Sequence, residues 1–159
     1  MEIVETLGSI GEASLTFMGL AAVFNAFSRK DAGDSHSANR IAVVVEGGLI
    51  LTLVSFAPMA LASTGLQEPW PWRIAAALGV FFAARATYLA ITDTAKPGNT
   101  PYLLAVAMTL DISTGLTYLC CLFGPAVWPL PGLYLAGVVQ MLGFVGVTFI
   151  GQFRAEQRG

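Results

Sequence analysis

Five runs of mostly apolar residues, each about as long as a bilayer is thick, are separated by four short polar or proline-rich breaks. The runs extend from about Leu7 to Phe27, Ile41 to Ala62, Arg73 to Thr92, Tyr102 to Phe123 and Leu133 to Phe153. None alternates with a period of two, which argues against barrel strands, whose lipid-facing and lumen-facing residues alternate. A helix needs roughly 20 predominantly apolar residues to cross the hydrocarbon, and in lipid its backbone polar groups must be satisfied internally. The pattern therefore predicts an all-α polytopic membrane protein, a compact bundle of five transmembrane helices forming one domain over 1–159. The alternative is four spans plus an interfacial helix, because the first run carries Glu12 and is the least apolar. The breaks are SRKDAGDSHSANR at 28–40, STGLQEPWPW at 63–72, DTAKPGNTP at 93–101 and GPAVWPLPG at 124–132. Pro58, near the end of the second run, is expected to kink it.

Composition narrows the function classes. Only 11% of residues are charged and 55% are apolar, against roughly 25% charged in soluble domains. A formal net charge of −2 does not suit nucleic acid, which is bound largely through phosphate neutralisation. Five spans leave no room for a nucleotide-binding domain, and the single His cannot supply a haem ligand pair or a His-rich cage, so no cofactor or metal is expected. Cys120 and Cys121 are adjacent in an apolar run and read as packing residues, since free Cys behaves as a small hydrophobe. The N-terminal MEIVETLGSIGEA has three Glu and no base. It lacks the basic region of a secretory signal, so the first run reads as a retained span.

Charge placement predicts orientation. Arg29, Lys30, Arg40, Lys96, Arg154 and Arg158 all fall on one side of a five-span chain, and Arg73 alone on the other. The positive-inside rule then puts the N-terminus outside and the C-terminus in the cytoplasm of a prokaryotic cytoplasmic (inner) membrane. Trp70, Trp72 and Trp128 fall in the two outer breaks and read as an interfacial belt.

Four ionisable residues lie within the runs: Glu12, Glu46, Arg85 and Asp111. Each costs about 2.5 kcal/mol or more at a helix centre, and such residues mark functional sites by default. At 1.5 Å per residue, Glu46 lies about 8 Å and Arg85 about 10 Å from the same cytoplasmic face, on consecutive antiparallel helices. An ion pair is the expected outcome. Asp111 lies mid-span, with Thr114, Gly115 and Tyr118 on its face. Gln140 falls at a similar depth, and Glu12 can lie near that level. This stripe suits a cation or proton site opening outward. Glu5, Gly8, Glu12, Thr16 and Gly19 share one face of the first run. Gly8, Gly19, Gly143 and Gly146, with Gly47 and Gly48, read as sites of close helix approach.

Three functions fit. The first is an oligomeric channel or transport protein for a cation or proton, using Asp111 and Glu12 and self-associating in the bilayer. The second is a structural or accessory subunit of a larger membrane complex. The third is a membrane enzyme acting on a lipid or conjugate at the cytoplasmic face through Arg85, Tyr88 and Glu46, although no nucleophile–base–orienter set is present. That third reading has a parallel. Arg85 and Tyr88 in AARATY resemble the Arg-x-x-Tyr pattern of the membrane-associated eicosanoid and glutathione metabolism proteins. Asn39 and Arg40 with Glu46 resemble their Arg, Asn and Glu cluster. The resemblance covers about a third of the chain and implies four spans; order and spacing differ, and a fifth run is present.

Overall fold

A computed structural model describes residues 2–28, 35–93, 101–125 and 128–156. The described residues form five helices and no strand: α1 Glu2–Ser28, α2 Ser35–Ser63, α3 Trp70–Asp93, α4 Pro101–Phe123 and α5 Leu130–Glu156. By length and composition, Val45–Ser63, Ala105–Phe123 and Leu130–Val147 are apolar and long enough to cross a membrane. α1 and α3 have 27 and 24 residues, but they carry Glu2, Glu5 and Glu12, and Arg73 and Arg85, respectively.

The helices extend beyond the apolar runs because their ends are chemically suited to begin or stop a helix. α3 starts at Trp70 with Pro71 in its first turn, where a missing N–H costs nothing. Pro131 has the same place in α5. α2 stops at Gly65, whose φ of 86° is the left-handed conformation that glycine adopts freely, and whose N–H donates to the Ala62 carbonyl at 3.1 Å. The Glu68–Pro69 peptide in the following turn is cis.

α3 with α4, α4 with α5, and α1 with α2 pack along their lengths; α2 also packs against α3 and α5, and α1 and α3 touch α5. Among the described residues α1 meets neither α3 nor α4. The order is thus α1 on α2, and α2 on the α3–α4–α5 group. The faces follow from helical spacing. Leu7, Gly11 and Ser14 are buried along one stripe of α1, with Met18 half-buried, and this stripe faces α2: a Cβ at Gly48 would lie 2.4 Å from Met18, and one at Gly11 would lie 2.5 Å from the Phe56 ring. Glu5, Glu12, Thr16 and Gly19 share an exposed face.

The core is aromatic. The ring of Tyr118 on α4 lies between Gly79 of α3 and Gly137 of α5, where a Cβ would come within 2.6 and 2.7 Å of it. Tyr134 of α5 packs on Tyr118 at 5.4 Å between centroids, and Trp72 of α3 meets Tyr134 edge-on at 5.7 Å. Trp72 is therefore a buried core residue, only 7% exposed; of the three expected belt tryptophans, Trp70 and Trp128 are exposed. The expected glycine contacts also change. Among the described residues nothing lies within 4 Å of a Cβ at Gly8, Gly19 or Gly146, whereas Gly48, Gly11, Gly79 and Gly137 are close-approach sites. Cys121 is buried, as packing requires, and Cys120 is exposed.

Pro58 sits inside α2 and has no N–H for the carbonyl four residues earlier, that of Val54. The Tyr134 hydroxyl donates to that carbonyl at 2.6 Å. The tyrosine thus repairs the break in the helical ladder and ties α5 to α2. Tyr134→Phe is expected to cost about 1–2 kcal/mol of stability. In a Pro58→Ala background residue 58 supplies the N–H, so the same change costs less. Unfolding free energies in bicelles for the four variants check this; equal costs in both backgrounds would exclude the proposed repair.

Candidate functional site

In an apolar helix a hydroxyl has few partners, and the usual solution is to donate back to the carbonyl one turn earlier. Thr52, Thr109, Thr114 and Thr117 do so, to Gly48, Ala105, Leu110 and Ser113 at 2.7–2.9 Å. Thr87 of α3 behaves differently. Its hydroxyl donates to the Asp111 carboxylate on α4 in a close hydrogen bond. Asp111 is 5% exposed, so its carboxylate is held between two helices against a neutral donor.

Other polar groups bridge neighbouring helices in the same manner. Thr117 of α4 also approaches Gln140 Oε1 of α5 at 3.1 Å. Ser14 of α1 donates to the Gly48 carbonyl of α2 at 2.8 Å. Arg73, at the start of α3, donates through Nη2 to the Gly124 carbonyl at 2.9 Å. It thereby places a cation at the C-terminal end of α4, where the helix dipole favours one, and it lies 6.0 Å from the Trp70 ring.

The matched depths of Glu46 and Arg85 produce an ion pair between α2 and α3, Arg85 Nη1 against Glu46 Oε1. Its environment distinguishes it from the other ties: the side chains are 43% and 44% exposed. Tyr88, one turn along α3, is 67% exposed.

The stripe anticipated on α4 is closed within one chain. Thr114 and Tyr118 are 1% and 0% exposed, and the Tyr118 ring fills the space between Gly79 and Gly137. Among the described residues the Tyr118 hydroxyl, Ser55 Oγ and Arg73 Nε are buried without a hydrogen-bond partner. Glu12 is not brought to Asp111: it is exposed on α1, which does not reach α4. Gln140 meets Thr117 rather than Asp111. No group of three or more His, Cys, Asp or Glu that could hold a metal occurs among the described residues. Asn39, Arg40 and the basic residues of the termini and loops lie outside the residues whose side chains are described.

No family model, curated protein or solved structure matches the chain. Thr87, Ser14, Thr117 and Tyr134 are bridging residues that sequence reasoning missed. Thr87 could have been found from helix pairing alone, since it lies two residues beyond Arg85 on a helix antiparallel to that of Asp111.

The ion pair sets a stability test. Losing one partner of a dry pair costs about 3–5 kcal/mol; here solvent or lipid reaches both side chains, and about 1–2 kcal/mol is expected for Glu46→Gln. Adding Arg85→Gln should recover part of that loss, because the lone charge is removed. Unfolding measurements on both variants in bicelles check it, and a double variant less stable than Glu46→Gln would contradict the pairing.

Proposed function

We propose that the chain is an integral membrane protein of five transmembrane helices in a prokaryotic cytoplasmic membrane, and that it serves as a structural or accessory subunit. On this reading it assembles with protein through the face that carries Glu46 and Arg85. The five-span reading is supported by chain order. α2 and α4 are apolar enough to cross, and α3 connects them in sequence while packing along α4, so it runs from one side of the bilayer to the other. α1 packs along α2 in the same way. An odd number of spans separates the termini, and the positive-inside rule applied to the basic residues favours a cytoplasmic C-terminus.

The observation that carries the functional reading is the half-exposed ion pair. Asp111, Thr117, Gln140 and Ser14 each have a partner on a neighbouring helix, and Asp111 is shielded as well. Glu46 and Arg85 pair with one another but leave more than two-fifths of each side chain uncovered. Charges at membrane depth face the protein interior or water rather than lipid. A protein surface laid over α2 and α3 satisfies that requirement.

A second reading, cation or proton transport, draws on Asp111. A carboxyl group stands where a neutral amide could accept the Thr87 hydrogen bond equally well, and it is buried between α3 and α4. In this reading Asp111 binds and releases the cation or proton.

Two outcomes follow. A tag at the N-terminus should be reachable from outside intact cells and one at the C-terminus only after permeabilisation; both termini on one side would overturn five spans. In liposomes, wild type and Asp111→Asn should both show the proton and cation leak of protein-free vesicles. A flux that depends on Asp111 would replace the subunit reading by transport.

A further inference from the structure

The ion pair lies on a continuous exposed surface. On α3 the residues Ile74, Leu78, Phe81, Arg85 and Tyr88 follow one another at alternating steps of four and three, and each is exposed, Phe81 by 62%. This is the a/d spacing by which one helix seats against another. On α2, Glu46, Leu49 and Leu53 repeat the same spacing beside it, and Leu49 and Leu53 are 49% and 53% exposed. A lipid-facing stripe can be as apolar as this one, but intramembrane arginines almost always face protein or water rather than lipid. Nor is Arg85 placed to reach the nearer membrane surface. Helical side chains lean toward the helix N-terminus, which for α3 is the Trp70 end, and Arg85 lies closer to the Asp93 end.

We propose that this α2–α3 face binds the same face of a second copy of the chain, around a two-fold axis along the membrane normal. The argument is charge complementarity. In a two-fold interface, if residue i of one copy meets residue j of the other, j also meets i. One acid and one base at one depth make a self-complementary pair, so Glu46 of each copy meets Arg85 of the other. The four charges then alternate around a ring, and the two apolar stripes pack above it. Copies inserted in the same orientation bring these residues to the same depth without further adjustment. An unrelated partner would have to present its own acid and base at that depth. The inference rests on the reading that the Glu46–Arg85 face is covered by protein, and it names the protein.

The test places a photoreactive benzophenone amino acid at Phe81 in the full chain in native membranes, with Leu116 on α4 and Val139 on α5 as exposed controls. The expected product is a covalent dimer from Phe81 and not from the controls. Glu46→Arg and Arg85→Glu, made singly, put like charges together and should weaken the dimer by about 30-fold or more. The double variant E46R/R85E restores both the internal pair and the ring, and should restore the dimer adduct; this separates loss of association from failure to fold. An adduct at Phe81 only with another protein would overturn the second copy and leave the subunit reading standing. Adducts with lipid alone would overturn both. Equal dimer yield from Leu116 or Val139, or a dimer indifferent to the single charge changes, would overturn the interface.

Discussion

The ring of Tyr118 fixes the spacing of three helices at once. It can occupy its position only because the helices on both sides lack a Cβ at the point of contact, Gly79 on α3 and Gly137 on α5. Between membrane helices the apolar effect supplies little attraction, since lipid is as apolar as leucine, and close packing takes its place. A large ring held between two glycines is a strong form of such packing, because each of its two sides approaches a helix where no Cβ intervenes. Tyr134 then packs on Tyr118 and reaches across to the Val54 carbonyl that Pro58 leaves without a donor. Through these two tyrosines the α3–α4–α5 group acquires α2, and α2 in turn carries α1.

Polar groups complete the arrangement in pairs. A hydroxyl that donates back to its own helix makes no statement about which helix lies beside it. Thr87 and Ser14 donate to other helices instead, and these bonds specify neighbours: α3 with α4, and α1 with α2. The Gly48 carbonyl accepts from both Ser14 and Thr52, which the close approach at that glycine permits. Each tie contributes little energy, on the order of 1 kcal/mol. Their value lies in direction, since an apolar contact can slide and a hydrogen bond cannot.

Much of the helical architecture could be read from the chain, because run length and the need to satisfy backbone groups are local properties. The Glu46–Arg85 pairing was also legible: consecutive antiparallel helices place residues at matched depths, and only a pair of opposite sign is stable there. What could not be read was rotation about each helix axis. Glu12 has a depth compatible with Asp111, but α1 presents Leu7, Gly11 and Ser14 to α2 and turns Glu12 outward. Gly79 and Gly137 look like any other glycines until Tyr118 is known to stand between them. Trp72 has the character of an interfacial anchor, yet it is the third residue of α3, two after Trp70, and the turn of that helix carries it inward to Tyr134.

The two halves of the bundle differ in how they are held. Toward the Trp70 end, Trp72, Ala75, Ala76, Tyr118, Cys121, Leu130 and Tyr134 are all buried, and Arg73 binds the end of α4. Toward the other end the contacts become polar, through Asp111 with Thr87 and Glu46 with Arg85. The aromatic half packs α3, α4 and α5 directly against one another, whereas the polar half joins helices through single paired groups. Enclosing an ion pair strengthens its attraction but costs the desolvation of both charges. Left half-uncovered, the same pair gives up internal strength and gains the capacity to meet a second charged pair. In the assembly proposed above, that uncovered side of Glu46 and Arg85 is the part that meets the partner.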